Sequence, residues 1–158
     1  MQTDVFIIQT VQQAFSKRRR PPHFTNFEHC EECAEHDRLL CSRDIYSLRI
    51  EEVGNMGWDP ICFISPEGFA YYLPALIRLA LAEPVAPYDW YGAQLIGHLS
   101  YDGSRNERIL ACTIAQRRAV VTFLQHLVET RAQLVDAYRR SEKLLSAIDY
   151  WSRTDDSI

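Results

Sequence analysis

The side chains best suited to chemistry lie in one short stretch of the chain, HCEECAEH. Cys30 and Cys33 have the spacing at which two thiolates can reach one metal ion, and His36 follows three residues later as a third ligand. The fourth ligand would be His23 or His29. On a regular helix, however, residues at this spacing fan out by about 60° per step and converge only near a helix start. We therefore expect free thiols and no cofactor, with zinc at Cys30, Cys33 and His36 as the alternative.

A redox-active Cys30–Cys33 pair is a further alternative. The positive end of a helix lowers the pKa of a thiol, whereas the carboxylates around this pair should raise it again. The chain has five cysteines and does not begin with the pattern of an export signal. These features favour free thiols in a reducing cytoplasm.

The same stretch is also the densest acidic part of the chain. Five carboxylates fall within ten residues, and no Lys or Arg lies among them: Glu28, Glu31, Glu32, Glu35 and Asp37. Grouped charge of one sign is typical either of a solvated helix face or of a docking surface for a basic protein. We expect these side chains to face solvent and bind a partner, with the aromatic residues Trp90 and Tyr91 as the next candidates.

Motifs for catalysis are sparse. Ser65 lies in no Gly-x-Ser-x-Gly turn and is better explained as a helix cap. His98 and His126 lie beside apolar residues in helical segments, and the six glycines form no phosphate-binding loop. A non-enzymatic protein is the favoured interpretation, with no catalytic residue assigned. An enzyme of unknown reaction remains an alternative.

Composition limits the class of protein further. The chain has 158 residues, of which 47% are hydrophobic and 24% charged, as in an ordinary globular domain. A net charge of −4 argues against a nucleic-acid partner. No apolar run reaches about 18 residues, so we expect no membrane interaction. The oligomeric state is not determined by these features.

Helical periodicity is present in at least five segments, and strand alternation is absent. Ser65-Pro66 has the form of a helix start, and the apolar residues behind it predict a central buried helix near 65–82, kinked or broken at Pro74. Thr113 and Gln116 have the Thr-x-x-Gln form of a capping box. No Pro or Gly occurs between Thr113 and Trp151, which predicts one long helix, or two with a bend. We predict an all-α, single-domain irregular bundle of five to seven helices over residues 1–151, followed by a polar tail at 152–158.

Several motifs resemble those of a bacterial domain family of unknown function. They are Cys30-x-Glu32-Cys33, the sequence SPEGFAYYLP from Ser65, Gln116 before an apolar helix, and a final Tyr150-Trp151. The resemblance covers roughly residues 25–151 and implies a small bacterial cytoplasmic protein. Small acidic proteins without catalytic motifs are often partners of another protein. The leading hypothesis is an immunity or antitoxin-like protein that occludes a basic toxin, and the alternative is a zinc-stabilised regulatory domain.

Overall fold

The chain folds into α-helices joined by turns and short loops. The computed structural model describes residues 1–154, apart from the side chain of Ser104. Within that range there are nine α-helices, six of which have ten or more residues, and no strand. The helices are α1 (Asp4–Ala14), α2 (Glu31–Cys41), α3 (Ile50–Val53), α4 (Pro66–Leu81), α5 (Tyr91–Ser100), α6 (Glu107–Leu110), α7 (Ile114–Thr130), α8 (Ala132–Ala137) and α9 (Ser141–Trp151). The predicted all-α single domain is confirmed.

The central helix is α4, as predicted. Its first turn is capped by the Ser65 hydroxyl, which accepts a hydrogen bond from the Gly68 N–H at 3.0 Å, and Pro66 occupies the first helical position. Most of α4 is buried, and it packs against α1, α5 and α6. The helix continues past Pro74, so the predicted break is absent. Burial of both halves of α4 in the same core outweighs the missing backbone hydrogen bond.

The C-terminal segment is three helices rather than one or two. The predicted capping box of Thr113 and Gln116 does begin α7, but the helix ends at Thr130. A second interruption follows α8, where Arg139 adopts a positive φ of 56°. These breaks allow α9 to fold back against α5 and α7. The prediction of one long helix, or two with a bend, was wrong because the turns are stabilised by distant contacts, without a Pro or Gly to mark them.

Between α2 and α4 the chain forms short turns. The segments Met56–Trp58 and Pro60–Cys62 are single 3-10 turns, and α2 lies against the second of them. Ile64 pairs with Thr25 in an isolated antiparallel bridge, which fixes the loop before α2 against the start of α4.

No helix in the described range combines the length and apolar character needed to cross a membrane. The limit of the domain at residue 151 stays a prediction. The predicted polar tail at 152–158 lies largely outside the described residues, which end at 154.

Candidate functional site

The two cysteines of the acidic stretch lie together at the start of α2. Cys30 is the residue before the first helical turn, with extended backbone angles, and its sulfur accepts a hydrogen bond from the Cys33 N–H at 3.4 Å. The two Sγ atoms are 3.3 Å apart. Cys30 is exposed and Cys33 is buried. This start of a helix is the geometry in which residues three apart do converge.

The imidazole that joins the cysteines is His29 rather than His36. The His29 Nδ1 atom lies 3.8 Å from the Cys33 sulfur, and one donor atom from each of His29, Cys30 and Cys33 lies within 4.8 Å of the others. The structure thus groups the cysteines with His29, one of the two candidates for the fourth ligand, and does not group them with His36. His36 is six residues after Cys30, so it lies beyond the helix start, on the face that packs inward.

The two thiols differ in acidity. The hydrogen bond from the Cys33 N–H, together with His29, lowers the pKa of Cys30 to about 7. The hydrogen bond to the Cys30 sulfur and burial raise the pKa of Cys33, and Glu32 adds to this effect. The expectation that the carboxylates would cancel the effect of the helix start is thus wrong for Cys30, because hydrogen bonds at the cap act at shorter range.

His36 lies fully buried between aromatic side chains. Its ring centroid is 4.7 Å from that of Trp58 and 4.9 Å from that of Phe63. Neither ring nitrogen makes a hydrogen bond, and the Glu32 carboxylate lies 3.5 Å from Nε2. Trp58 and Phe63 remain 42% and 39% exposed. His36 thus connects the acidic helix to two solvent-facing rings.

Four of the five predicted acidic residues reach solvent, and the fifth does not. Asp37 is only 5% exposed. Its carboxylate accepts hydrogen bonds from the backbone N–H of Phe24 and Thr25, and one oxygen lies 2.7 Å from His23 Nδ1. Although burial opposes it, these bonds lower the pKa of Asp37. Asp37 therefore holds the preceding loop against α2 and is not part of a docking surface.

Trp90 and Tyr91, the next predicted binding residues, are also buried, at 1% and 2% exposure. The Trp90 indole N–H donates to the Ala80 carbonyl at 2.8 Å, at the end of α4. Helix α5 begins at Tyr91, and both rings lie in the core. Neither residue can form a surface contact.

We use the name acidic–aromatic surface for the exposed or partly exposed carboxylates on and just before α2 together with the two rings that contact His36. Its residues are Glu28, Glu31, Glu32, Glu35, Trp58 and Phe63. Sequence reasoning missed the two aromatic residues. For Trp58 a signal was available, because an aromatic residue in the loop Asn55-Met-Gly-Trp, between helix breakers, has few neighbours to cover it. For Phe63 no comparable signal exists.

A second polar cluster surrounds Asp59. One Asp59 oxygen lies 2.8 Å from His98 Nε2 and accepts a hydrogen bond from Gln94 at 2.7 Å. The Cys62 thiol lies in the same group, but burial and Asp59 raise its pKa. A thiol held protonated beside a carboxylate is a poor nucleophile. The cluster ties α5 to the turn at 60–62, and we assign it a structural role.

A third cluster joins the start of α1 to the end of α7. Asp4 receives two hydrogen bonds from Arg131, both at 2.7 Å, and one of its oxygens lies 2.7 Å from His126 Nε2. The pKa of Asp4 is lowered to about 2, and the hydrogen bonds from Arg131 are the largest cause. His23, Asp37 and Cys41 form a further group of potential ligands, in which Asp37 is already occupied by backbone N–H groups. The Asp4 contacts join α1 to α7, and the Asp37 contacts hold the loop at 23–25 against α2.

Comparison with known proteins gives a family but no activity. No curated protein and no solved structure matches the chain. The model of a family of unknown function, DUF6714, matches residues 3–155. The match spans nearly the whole chain, including the thiol pair and the acidic–aromatic surface, and the chain therefore belongs to this family of unknown function.

Proposed function

We propose that the protein is a non-enzymatic binding protein whose acidic–aromatic surface docks on a basic protein. The specific form that we propose is a bacterial immunity or antitoxin-like protein, acting in the cytoplasm, that occludes the cationic site of a toxin. The observation that carries the proposal is the contact between the carboxylate helix α2 and two half-exposed aromatic rings, made through His36.

The charges of this surface are available to a partner. Glu28, Glu31 and Glu35 are exposed, and the Glu32 side chain is 41% exposed. Glu31 pairs with Arg38 at 3.2 Å, and both of these side chains are largely solvated. Exposed pairs of this kind contribute little stability, so a partner can replace them easily. The carboxylates Asp4, Asp37 and Asp59 differ, because each is occupied by internal donors.

The aromatic rings add the kind of contact that dominates binding energy. Trp and Tyr are enriched among the interface residues whose truncation costs the most binding free energy. Such residues are surrounded by contacts that exclude water. Trp58 and Phe63 are partly covered by His36, so little side-chain freedom is lost when a partner covers the rest. The carboxylates of α2, the helix that contacts both rings through His36, would steer a basic protein toward this part of the molecule.

A second candidate function, a zinc-stabilised regulatory domain, is favoured by the convergence of His29, Cys30 and Cys33. Within the described residues this set offers three donors, one fewer than a closed tetrahedral site needs. Metal analysis of the purified full chain tests this function, which requires one equivalent of zinc that is lost in the double variant Cys30→Ser/Cys33→Ser.

The test of the binding function starts with capture of a partner from the source bacterium, followed by kinetics with the purified partner. The triple variant Glu31→Lys/Glu32→Lys/Glu35→Lys should lower the association rate constant about tenfold or more, since steering acts on encounter. The effect should shrink as salt rises, because charges are screened over about 8–10 Å at ordinary ionic strength. Trp58→Ala should instead speed dissociation.

A matched control changes the same number of charges elsewhere. Glu107, Glu129 and Glu142 are all exposed, and two of them lie in the first turns of helices, as Glu31 and Glu32 do. Reversing these three should leave the association rate within about twofold. If both triple variants slow association equally, net charge and not this surface is responsible. If neither does, the partner binds elsewhere.

A further inference from the structure

The thiol pair at the start of α2 is not used by the proposed binding function. Cys30 is exposed, and its sulfur lies 3.3 Å from that of the buried Cys33. A disulfide bond has a length of about 2.05 Å. Side-chain rotations that shorten the Sγ–Sγ distance by slightly more than 1 Å therefore bring the sulfurs to bonding distance. Among the cysteines of the described residues, this is the only pair with sulfurs in hydrogen-bond contact.

The surroundings divide the two thiols into different roles. The Cys33 N–H points at the Cys30 sulfur, where it stabilises negative charge, and the His29 ring lies nearby. Burial and the adjacent Cys30 sulfur keep Cys33 protonated until that sulfur reacts. The Glu32 carboxylate also raises the pKa of Cys33, and so opposes a second negative charge next to Cys30. Burial raises the pKa of each of the three other cysteines, which are Cys41, Cys62 and Cys112.

We propose that Cys30 and Cys33 are a redox-active dithiol that undergoes thiol–disulfide exchange with low-molecular-weight disulfides of the glutathione class. The Cys30 thiolate attacks one sulfur of the disulfide, forms a mixed disulfide and releases one thiolate. Cys33 then loses its proton and attacks the Cys30 sulfur, which breaks the mixed disulfide and releases the second thiolate. The protein loses two electrons and two protons, and the small disulfide is reduced to two thiols.

Metal binding is the competing use of the same atoms. His29 could complete a set of three donors, but no fourth His, Cys, Asp or Glu in the described part of the chain joins them. Exchange needs only the two sulfurs, one accessible and one close behind it, which is the arrangement present. A zinc ion held by both thiolates would block exchange, so the two uses give opposite results in one experiment.

The experiment equilibrates the full chain with a series of reduced-to-oxidised glutathione ratios, followed by acid quenching, alkylation and peptide mass analysis. The tryptic peptide of residues 20–38 contains Cys30 and Cys33 and no other cysteine, whereas Cys41 and Cys62 fall in separate peptides. We expect this peptide to become oxidised internally, with a loss of two hydrogens, and to return to the dithiol when excess reduced glutathione is added.

Two variants separate the roles of the sulfurs. Cys33→Ser should accumulate a glutathione adduct on Cys30 that does not resolve, and Cys62→Ser, which removes another exposed cysteine, should behave as the wild type. At pH 6, alkylation of Cys30 should be about 10-fold or more faster than that of Cys62, because the larger thiolate fraction outweighs its lower nucleophilicity.

The proposal is overturned if no internal disulfide forms at any ratio, or if Cys30 pairs instead with Cys41 or Cys62. It is also overturned if the purified protein carries one equivalent of zinc that must be removed before exchange occurs. Circular dichroism of each variant confirms that the helices are retained. None of these outcomes bears on partner binding, so this inference and the proposed function fail separately.

Discussion

Helices α2 and α4 begin in the same way and are used differently. In each, the residue before the first turn accepts a hydrogen bond from the N–H three positions later, from Cys33 to the Cys30 sulfur at 3.4 Å and from Gly68 to the Ser65 hydroxyl at 3.0 Å. Sulfur is the weaker acceptor and hydroxyl the stronger. The thiol at the start of α2 therefore adds reactivity where a hydroxyl would add more stability.

The two helices also differ in what holds them in place. Eleven of the sixteen residues of α4 are buried, and nearly all of them are apolar. Helix α2 buries four of its eleven residues, two of which are His36 and Asp37. Arg20 closes its C-terminal end by donating to the Leu40 carbonyl at 3.1 Å and the Cys41 carbonyl at 2.5 Å. Apolar area stabilises α4, whereas a few directional bonds position α2.

Leu76→Ala gives the largest expected effect. Leu76 is fully buried at the centre of α4, so the substitution removes buried methyl groups and leaves a cavity. The free energy of unfolding should fall by about 2–5 kcal/mol, measured by urea denaturation. A loss under about 0.5 kcal/mol, which is usual for surface positions, would mean that α4 is peripheral.

Asp37→Ala should give the next largest effect. The free energy of unfolding, measured by urea denaturation, should fall by about 2–3 kcal/mol, because the buried N–H groups of Phe24 and Thr25 lose their acceptor. Asp37→Asn retains one oxygen and should be less damaging. A loss as small as that of the exposed Glu35→Ala would contradict the directional role assigned to Asp37.

The same residue predicts a dependence on pH. Hydrogen bonds lower the pKa of Asp37 in the folded state below its ordinary 3.8, even though burial acts in the opposite direction. Its contribution to stability is therefore complete above that value and is lost as pH falls through the lower folded pKa. The difference in unfolding free energy between wild type and Asp37→Asn should shrink as pH falls from 5 toward 2. A difference that is constant over this range would mean that Asp37 is not ionised in the folded protein.

Ser65→Ala should lower the free energy of unfolding by about 1 kcal/mol, because the Gly68 N–H loses the hydroxyl that accepts its hydrogen bond. The corresponding change at α2, Cys30→Ser, should cause no loss of stability, since a hydroxyl is the better acceptor. Thermal unfolding of the two variants side by side measures this contrast. If Cys30→Ser destabilises the protein as much as Ser65→Ala does, the Cys30 sulfur is a structural cap and the comparison fails.

Glu35→Ala should change stability by no more than about 0.5 kcal/mol, as at other exposed positions. The measurement is a urea titration alongside Asp37→Ala, two residues further along the same helix. A larger loss would mean that the acidic face supports the fold and is not free to bind a partner.

Local features of the chain were enough to predict α4 and the start of α7. The caps at Ser65 and Thr113 act on N–H groups within three residues, so their sequence signals needed no knowledge of the fold. The apolar period of residues 69–80 likewise predicted which face of α4 is buried. For the site, the sequence indicated the thiol pair and the exposed carboxylates on α2.

Which side chains are buried, and which of them come together, depends on parts of the chain that are far apart in sequence. Asp37 is buried because the loop at 23–25 folds over it, and α7 ends where Arg131 reaches Asp4, 127 residues away. Trp90 lies in the core, where its indole N–H donates to the Ala80 carbonyl. His36 lies apart from the cysteines because it packs between the Trp58 and Phe63 rings. Sequence determined where helices begin and which residue types they carry, since those depend on neighbours three or four positions away. Tertiary structure decided which charges are buried, which rings stay exposed and which imidazole meets the thiols, because these depend on contacts that no local pattern encodes.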